Sequence, residues 1–473
     1  IIFSVYGTNP SQFDRIVVAS ISLTYPSRFN FNNEKSFQFT LGASGSGNFI
    51  VIDNFNYGTA TPVLYSLNDG KRYAGDIAVA GKVRFALPAS TDPARKFILV
   101  NEEISNITAI SNFTTRNFIN YALTANQGDY LIISNPGIYN DGNGVNYVDL
   151  YRQYRSSVAG GSFNTKVVSI DELTDQFAFG INKHPAAIRD FIRFADQQFL
   201  PKAKYVFIIG RGISSSEYAS NTTDQTINKL DLVPTFGWPA SDMLLSCDHN
   251  KLVPLIPIGR LGVVNGTEVK YYLNKVKEYE LAQASLTQTS GQKGWMKNVI
   301  HVSGGRDSAE SAQFRFYLDS YKSIIEDTLY GADVESFNKT SNSSVQQASG
   351  LQIEQLINGG VSLIGYFGHS SANTLAFNLS SPEIYTNQGK YPMFNVSGCS
   401  AGNYFTYDPT RLSGNLTISE KFVLAENRGS IGFIASTHLG IPPYLNQYNR
   451  ELYTALSKSM YGNSIGNQMK RVS

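Results

Sequence analysis

Short β-branched and aromatic runs dominate the first part of the chain. IVVASISLTYP, KSFQFTL, NFIVIDNF, VRFALP and KFILVN alternate frequently between apolar and polar positions. Gly, Asn, Asp and Pro punctuate them at about 8–12-residue intervals, the spacing of an all-β sandwich. No helical period interrupts them, and no catalytic constellation stands among them. Residues 1–125 therefore read as an N-terminal β-sandwich domain with a structural or docking role.

From about residue 126 the pattern changes. DYLIISNP, TKVVSI, KYVFIIG and PLIPIGRLG read as strands, the first and third continuously apolar. Between them, Ile188, Phe191, Ile192 and Ala195 recur at helical spacing behind Pro185, a residue suited to a helix start. Thr267 to Leu281 is a second amphipathic helix, with Val269, Leu273 and Val276 turned inward. Buried strands alternating with helices predict a parallel sheet covered on both faces. Residues 126–290 read as a first α/β subdomain.

The polar stretch SLTQTSGQKG leads into a second subdomain, residues 291–473. MKNVIHVSGG is a strand, followed by a helix from about Ser308 to Leu329. VQQASGLQIEQLINGG is a helix closed by Gly359 and Gly360. VSLIGYFGHSS and YPMFNVSGCSAG are buried strands ending at His369 and Cys399. ISEKFVLAENRG is a helix stopped at Gly429, and SIGFIAST is the next strand. Ligands of open α/β sheets bind beyond the carboxyl ends of the strands, which is where this pattern puts both residues.

Composition narrows the function. A chain of 473 residues is too long for one core, and 42% apolar with 12% aromatic residues suits ordinary globular domains. A net charge of +2 offers no polybasic surface for nucleic acid or anionic lipid. No apolar run reaches the roughly 18 residues of a membrane span. The chain opens on Ile1 without a charged-then-apolar leader, which reads as a signal peptide absent or already removed, in a part excised from a longer protein. Two cysteines make no disulfide framework. Abundant Asn, Ser, Thr, Tyr and Gly with low charge point weakly to an extracellular surface.

The chemistry rests on Cys399 and His369. Cys399 lies among Gly398, Ser400, Ala401 and Gly402, small residues that leave room for another molecule at the sulfur. His369 also ends an apolar strand beside glycine. Twenty-nine residues separate the two, enough for a parallel crossover. If the strands are neighbours, thiol and imidazole face one cleft. The thiolate is the nucleophile and an imidazole can activate it. Strand-end N–H groups, such as those of Gly368 and Cys399, supply an oxyanion site. Cys247 with Asp248 and His249 lacks the second ligand pair of a structural zinc site. His438 follows a strand end and is placed to line the same cleft. No phosphate-binding glycine motif is present.

These segments carry a family resemblance. GYFGHSS resembles the Y-x-G-H-G-S segment of gingipain-type cysteine peptidases. SGCSAGNYF resembles their C-x-x-G-D-F segment, and EKFVLAENRGSIGFIAST the helix and strand that follow it. PIGRLG with its helix resembles the unit upstream, so the likeness spans about residues 126–465. The β-rich leader with LTYPSRFNF resembles the PorU-type sortases of the type IX secretion system. The resemblance implies a caspase-like α/β fold in two subdomains, with Cys399 as nucleophile and His369 as its partner. It implies a third, acidic member, for which Asp307 fits and Glu310 is the alternative. It implies peptidase or transpeptidase action on protein substrates such as the C-terminal signals of secreted cargo. The partners would be outer-membrane secretion-complex proteins and a surface glycolipid amine, at the extracellular cell surface. No cofactor is required, and a structural calcium ion is admitted. The family's acidic specificity group would fall to Asp307, Glu310 or Asp242. One departure stands out: the family has glycine after the histidine, and this chain has Ser370. A non-enzymatic scaffold of a surface complex is the alternative that this departure raises.

Overall fold

The computed structural model describes residues 25–110, 115–248, 251–285, 289–338, 350–377, 379 and 381–473. The predicted strand IVVASISLTYP lies almost entirely outside these residues. The chain divides into two compact units, Ile1–Arg116 and Asn117–Ser473.

The first unit is antiparallel. Its strands are β1 (Ser36–Leu41), β2 (Asn48–Asp53), β3 (Val63–Ser66), β4 (Arg72–Ala74), β5 (Lys82–Leu87) and β6 (Arg95–Val100). They form a four-stranded sheet in the order β1-β6-β3-β4 and a two-stranded sheet of β2 and β5. Alternation turns Ile50, Ile52, Val83 and Phe85 of the small sheet onto Leu64, Phe97 and Leu99 of the large one. Buried Arg95 joins the sheets by donating to Asn48 Oδ1 (2.6 Å) and to the Gly42 carbonyl.

The second unit runs β7 (Tyr130–Ser134), α1 (Tyr147–Ser156), β8 (Thr165–Ser169), α2 (Ile170–Phe177), α3 (Ala186–Gln198), β9 (Tyr205–Ile209), α4 (Ser215–Ser220), α5 (Ile227–Leu230), β10 (Ile258–Leu261) and α6 (Gly266–Ala284). It continues with α7 (Ser290–Lys293), β11 (Asn298–Gly304), α8 (Ser308–Ile325), β12 (Asp333–Asn338), α9 (Gly350–Gly359), β13 (Leu363–Gly368), β14 (Met393–Ser397), α10 (Ile418–Leu424), β15 (Gly432–Ala435), α11 (Pro442–Thr454) and α12 (Ile465–Val472). The strands make two all-parallel sheets, β10-β9-β7-β8 and β12-β11-β13-β14-β15. The α/β class expected from the alternating pattern is therefore the fold.

Both faces of each parallel sheet are covered, as continuous apolar strands require. In the first, Leu131, Ile132 and Ile133 pack among Ile188, Phe191 and Ile192 of α3 and Val269, Leu273 and Val276 of α6. In the second, Ile364, Tyr366, Phe394 and Val396 meet Ile353 and Ile357 of α9 and Ile418 and Phe422 of α10. The alternate residues Leu363 and Phe367 meet Phe314, Leu318 and Tyr321 of α8 and Tyr453 of α11. Two helices stop earlier than their apolar pattern predicts. Past Ile325 the Asp327 carboxylate accepts the Leu329 N–H and Gly331 takes φ +67°, which turns the chain. Past Leu424 the backbone leaves the helix at Ala425, with Asn427 and Gly429 left-handed.

Candidate active site

β13 and β14 are adjacent and parallel, with Leu363 opposite Met393 and Phe367 opposite Ser397. Extending that register by two residues sets His369 opposite Cys399. The period of two puts both on the α8 and α11 face, with Phe367 and Ser397. The contacts agree. His369 Nε2 lies 2.8 Å from Glu310 Oε2 of α8, and its ring is 6.3 Å from that of Phe314. The Gly440 N–H, just before α11, donates to Cys399 Sγ at 3.4 Å. Cys399 is partly exposed, whereas Cys247 is buried, with burial raising its thiol pKa.

The carboxylate beside the imidazole is therefore Glu310. Asp307, the first choice from sequence, instead caps α8. Its Oδ1 accepts the Glu310 N–H at 2.9 Å, and its Oδ2 stands 3.9 Å from Arg306. Helical geometry explains the difference: the cap position holds its side chain against the first-turn amides, while the residue three further on projects over that turn. Burial pushes the Glu310 carboxyl up, but the Arg306 N–H and the His369 ring outweigh it and hold it below its ordinary value.

The strand ends are tied down from several sides. Buried Tyr366 donates to the His369 carbonyl at 2.5 Å and accepts the Ala376 N–H. Ser370 Oγ donates to the Cys399 carbonyl at 2.8 Å. The serine that departs from the family glycine thus joins the two strand ends rather than filling the space before the thiol. Gly398 makes this approach feasible, since a Cβ there would lie 2.2 Å from Ser370 Oγ and 2.6 Å from the Gly368 carbonyl. After the cysteine, Ser400 takes φ +55° and donates its N–H to the His438 carbonyl at 2.8 Å. Ser436 Oγ donates to the Gly398 carbonyl at 2.5 Å. Sequence reasoning missed Gly440 and Ser436, which touch the site only through tertiary folding.

The loop after Cys399 is anchored on the first sheet by buried ion pairs. Arg211, just past β9, donates to the Thr406 carbonyl and to Glu420 Oε1. Arg411 donates to the same Glu420 oxygen at 2.8 Å and forks onto both oxygens of Glu268 at 2.8 Å. The other Glu420 oxygen closes the capping box of α10 with Thr417. Every carboxylate in the network has at least two donors, the condition for burying charge without a large penalty.

A partly open thiol, an imidazole just past the end of the neighbouring strand, and a carboxylate on that imidazole stand at the carboxyl edge of a parallel sheet, the residue types that acyl transfer needs. The model of Peptidase family C25 matches residues 123–473. This chain belongs to peptidase family C25. The recognised gingipain likeness and the cysteine-peptidase class hold accordingly. The fold is shared with the complex of Porphyromonas gingivalis RgpB pro- and mature domains, at 15% identity and TM-score 0.53, covering 73% of each chain. It is shared with the Arg-specific cysteine proteinase gingipain R (RgpB), at 16% identity and TM-score 0.51, over 75% of this chain and 73% of that one. Dimeric latent PorU from Porphyromonas gingivalis aligns over 54% of this chain and 26% of that one, at 14% identity and TM-score 0.35. None of the curated proteins matches.

Among the described residues no group of three or more His, Cys, Asp or Glu side chains could hold a metal ion. Among the same residues no helix is long and apolar enough to cross a membrane.

Proposed function

We propose that this C25 peptidase acts through Cys399 as nucleophile, His369 as acid–base partner and Glu310 as the residue that orients the imidazole. The observation that carries the reading is the adjacency of β13 and β14, which end just before His369 and Cys399, with Glu310 on His369 Nε2. With Nε2–H held by the carboxylate, Nδ1 is the nitrogen left to exchange protons with the thiol and the leaving group. The Cys399 thiolate attacks the scissile carbonyl carbon, and the imidazolium protonates the departing amine. A thioester forms as the peptide bond breaks. The Ser400 N–H is occupied by the His438 carbonyl and Gly368 is paired within β13, so the Cys399 amide is the strand-end donor assigned to the oxyanion.

The thioester then meets either water or an amine. We assign the amine route, in which a sortase-type transpeptidase of the type IX secretion system moves cargo from its C-terminal signal onto a surface glycolipid amine. The support is the β-rich first unit, the likeness of its LTYPSRFNF segment to such sortases, and family membership. On this reading the protein works at the outer face of the cell, beside outer-membrane secretion proteins. A cargo-processing assay with Cys399→Ala tests it. Uncleaved cargo is expected. Unchanged cleavage and attachment would remove the assignment, and cleavage by the intact protein without amine transfer would make it a plain endopeptidase.

A further inference from the structure

We propose that the surface beside Cys399 takes an uncharged, apolar substrate side chain next to the scissile bond, rather than a basic one. This rests on the cysteine-peptidase reading above and adds its substrate class. The Gly440 N–H lies against Cys399 Sγ, so the segment around Gly440 is a wall beside the thiol. That wall is apolar and open. Leu439 is 70% exposed and Tyr444 69%, with Ile441 also exposed between them. Trp238, 68% exposed, lays its ring 5.3 Å from that of His438, next to Leu439 in the chain. Thr437 Oγ1 donates to the Ala240 carbonyl at 2.6 Å, which holds the Trp238 loop to the same segment. Leu445 packs against Gly440, where an added Cβ would lie 2.6 Å from its Cδ1. Apolar surface gains about 25 cal/mol for each Å² removed from water, so this row of side chains favours an apolar occupant.

The charges agree. A basic side chain seated beside the thiol needs a carboxylate free to meet it, and of the three acids considered for that role Asp242 and Glu310 are paired and Asp307 faces solvent beside Arg306. Asp242 is gripped by Arg260, with Nε to Oδ2 and Nη2 to Oδ1 both at 2.7 Å, and it also accepts from Thr235 Oγ1. Glu310 holds His369, and Asp307 caps α8 beside Arg306. A lysine or arginine seated at the wall would give up hydration without a counter-charge from this set.

The test uses the full chain and two series of peptides identical except for the residue before the scissile bond, Leu or Phe against Arg or Lys. One series is cleavable, and the other carries an electrophile that traps Cys399. The apolar members should exceed the basic ones by tenfold or more in kcat/KM and in labelling rate. Leu439→Glu and Ile441→Glu should each cut that preference at least fivefold, in protein whose circular dichroism matches the parent. Faster reaction of the basic members would overturn the proposal and leave the peptidase reading intact. Equal rates for both would overturn it as well. Labelling with apolar selectivity but no turnover would support the proposal in a slow enzyme. Absence of both turnover and Cys399 labelling would overturn the peptidase reading, and the proposal with it.

Discussion

Replacing Glu310 separates the acid that serves the imidazole from the acid that serves the helix. The Glu310 carboxylate makes two contacts, 2.8 Å to His369 Nε2 and 2.6 Å to the Arg306 N–H. A hydrogen bond to a charged group contributes about 1.5–3 kcal/mol when shielded. His369 is 48% exposed and Glu310 20%, so solvent screens the pair and about 1–2 kcal/mol is the appropriate range. At 1.4 kcal/mol per tenfold, Glu310→Ala should lower kcat roughly 5–30-fold with little change in KM. Glu310→Gln keeps an acceptor for the ring N–H and should lose less. Asp307→Ala removes the α8 cap instead. It should cost about 1 kcal/mol of stability and leave kcat within roughly twofold. Steady-state cleavage of a fluorogenic peptide, with urea unfolding of each variant, reads both effects. The reasoning is refuted if Asp307→Ala abolishes turnover while Glu310→Ala keeps the parent kcat.

Ser370→Ala, which removes a neutral hydrogen bond worth about 0.5–1.5 kcal/mol, should reduce kcat roughly 2–12-fold in the same peptide assay. Gly398→Ala should inactivate folded protein, and adding Ser370→Gly should not restore it fully, since the Gly368 carbonyl still blocks the new Cβ. Arg411→Ala strips buried Glu420 and part-buried Glu268 of their shared partner and should destabilise the second unit by about 3–5 kcal/mol in denaturant unfolding. Lys275 is buried against the carbonyls of Phe422, Arg428 and Ser430, and burial pushes its pKa down to about 7. The unfolded lysine holds its proton until about pH 10.4, so this group makes stability rise with pH between about 7 and 10. Thermal unfolding across that window should show the rise, and Lys275→Met should flatten it.

What the sequence disclosed follows from which signals are local. Buried parallel strands leave continuous apolar runs, so β7, β9, β13 and β14 were legible, and with them the edge that carries His369 and Cys399. β12 was not read, because an edge strand that buries only Val334 and Phe337 has no period of two. α1 and α11 were missed because their tyrosines and asparagines hide a face that only packing reveals; Asn449 is buried by hydrogen bonds to Ser397 and Asn395. The choice between Asp307 and Glu310 depended on which of two first-turn carboxylates points back over the helix end, a matter of side-chain direction rather than spacing. Ser370 read only as a departure from the family glycine. Its partner, the Cys399 carbonyl, lies just past β14, 29 residues further along the chain. The wall of Leu439, Ile441 and Trp238 combines two distant segments, and no local pattern joins them.

The central claim is that His369 activates Cys399 for attack on a carbonyl. Its most direct measurement is peptide-electrophile labelling followed by mass spectrometry of the intact and digested protein, with and without His369→Ala. The account predicts one adduct, on Cys399 and not on buried Cys247, formed at least tenfold more slowly when His369 is absent. Folded protein in which Cys399 stays unlabelled, or in which its labelling rate is indifferent to His369, would contradict it.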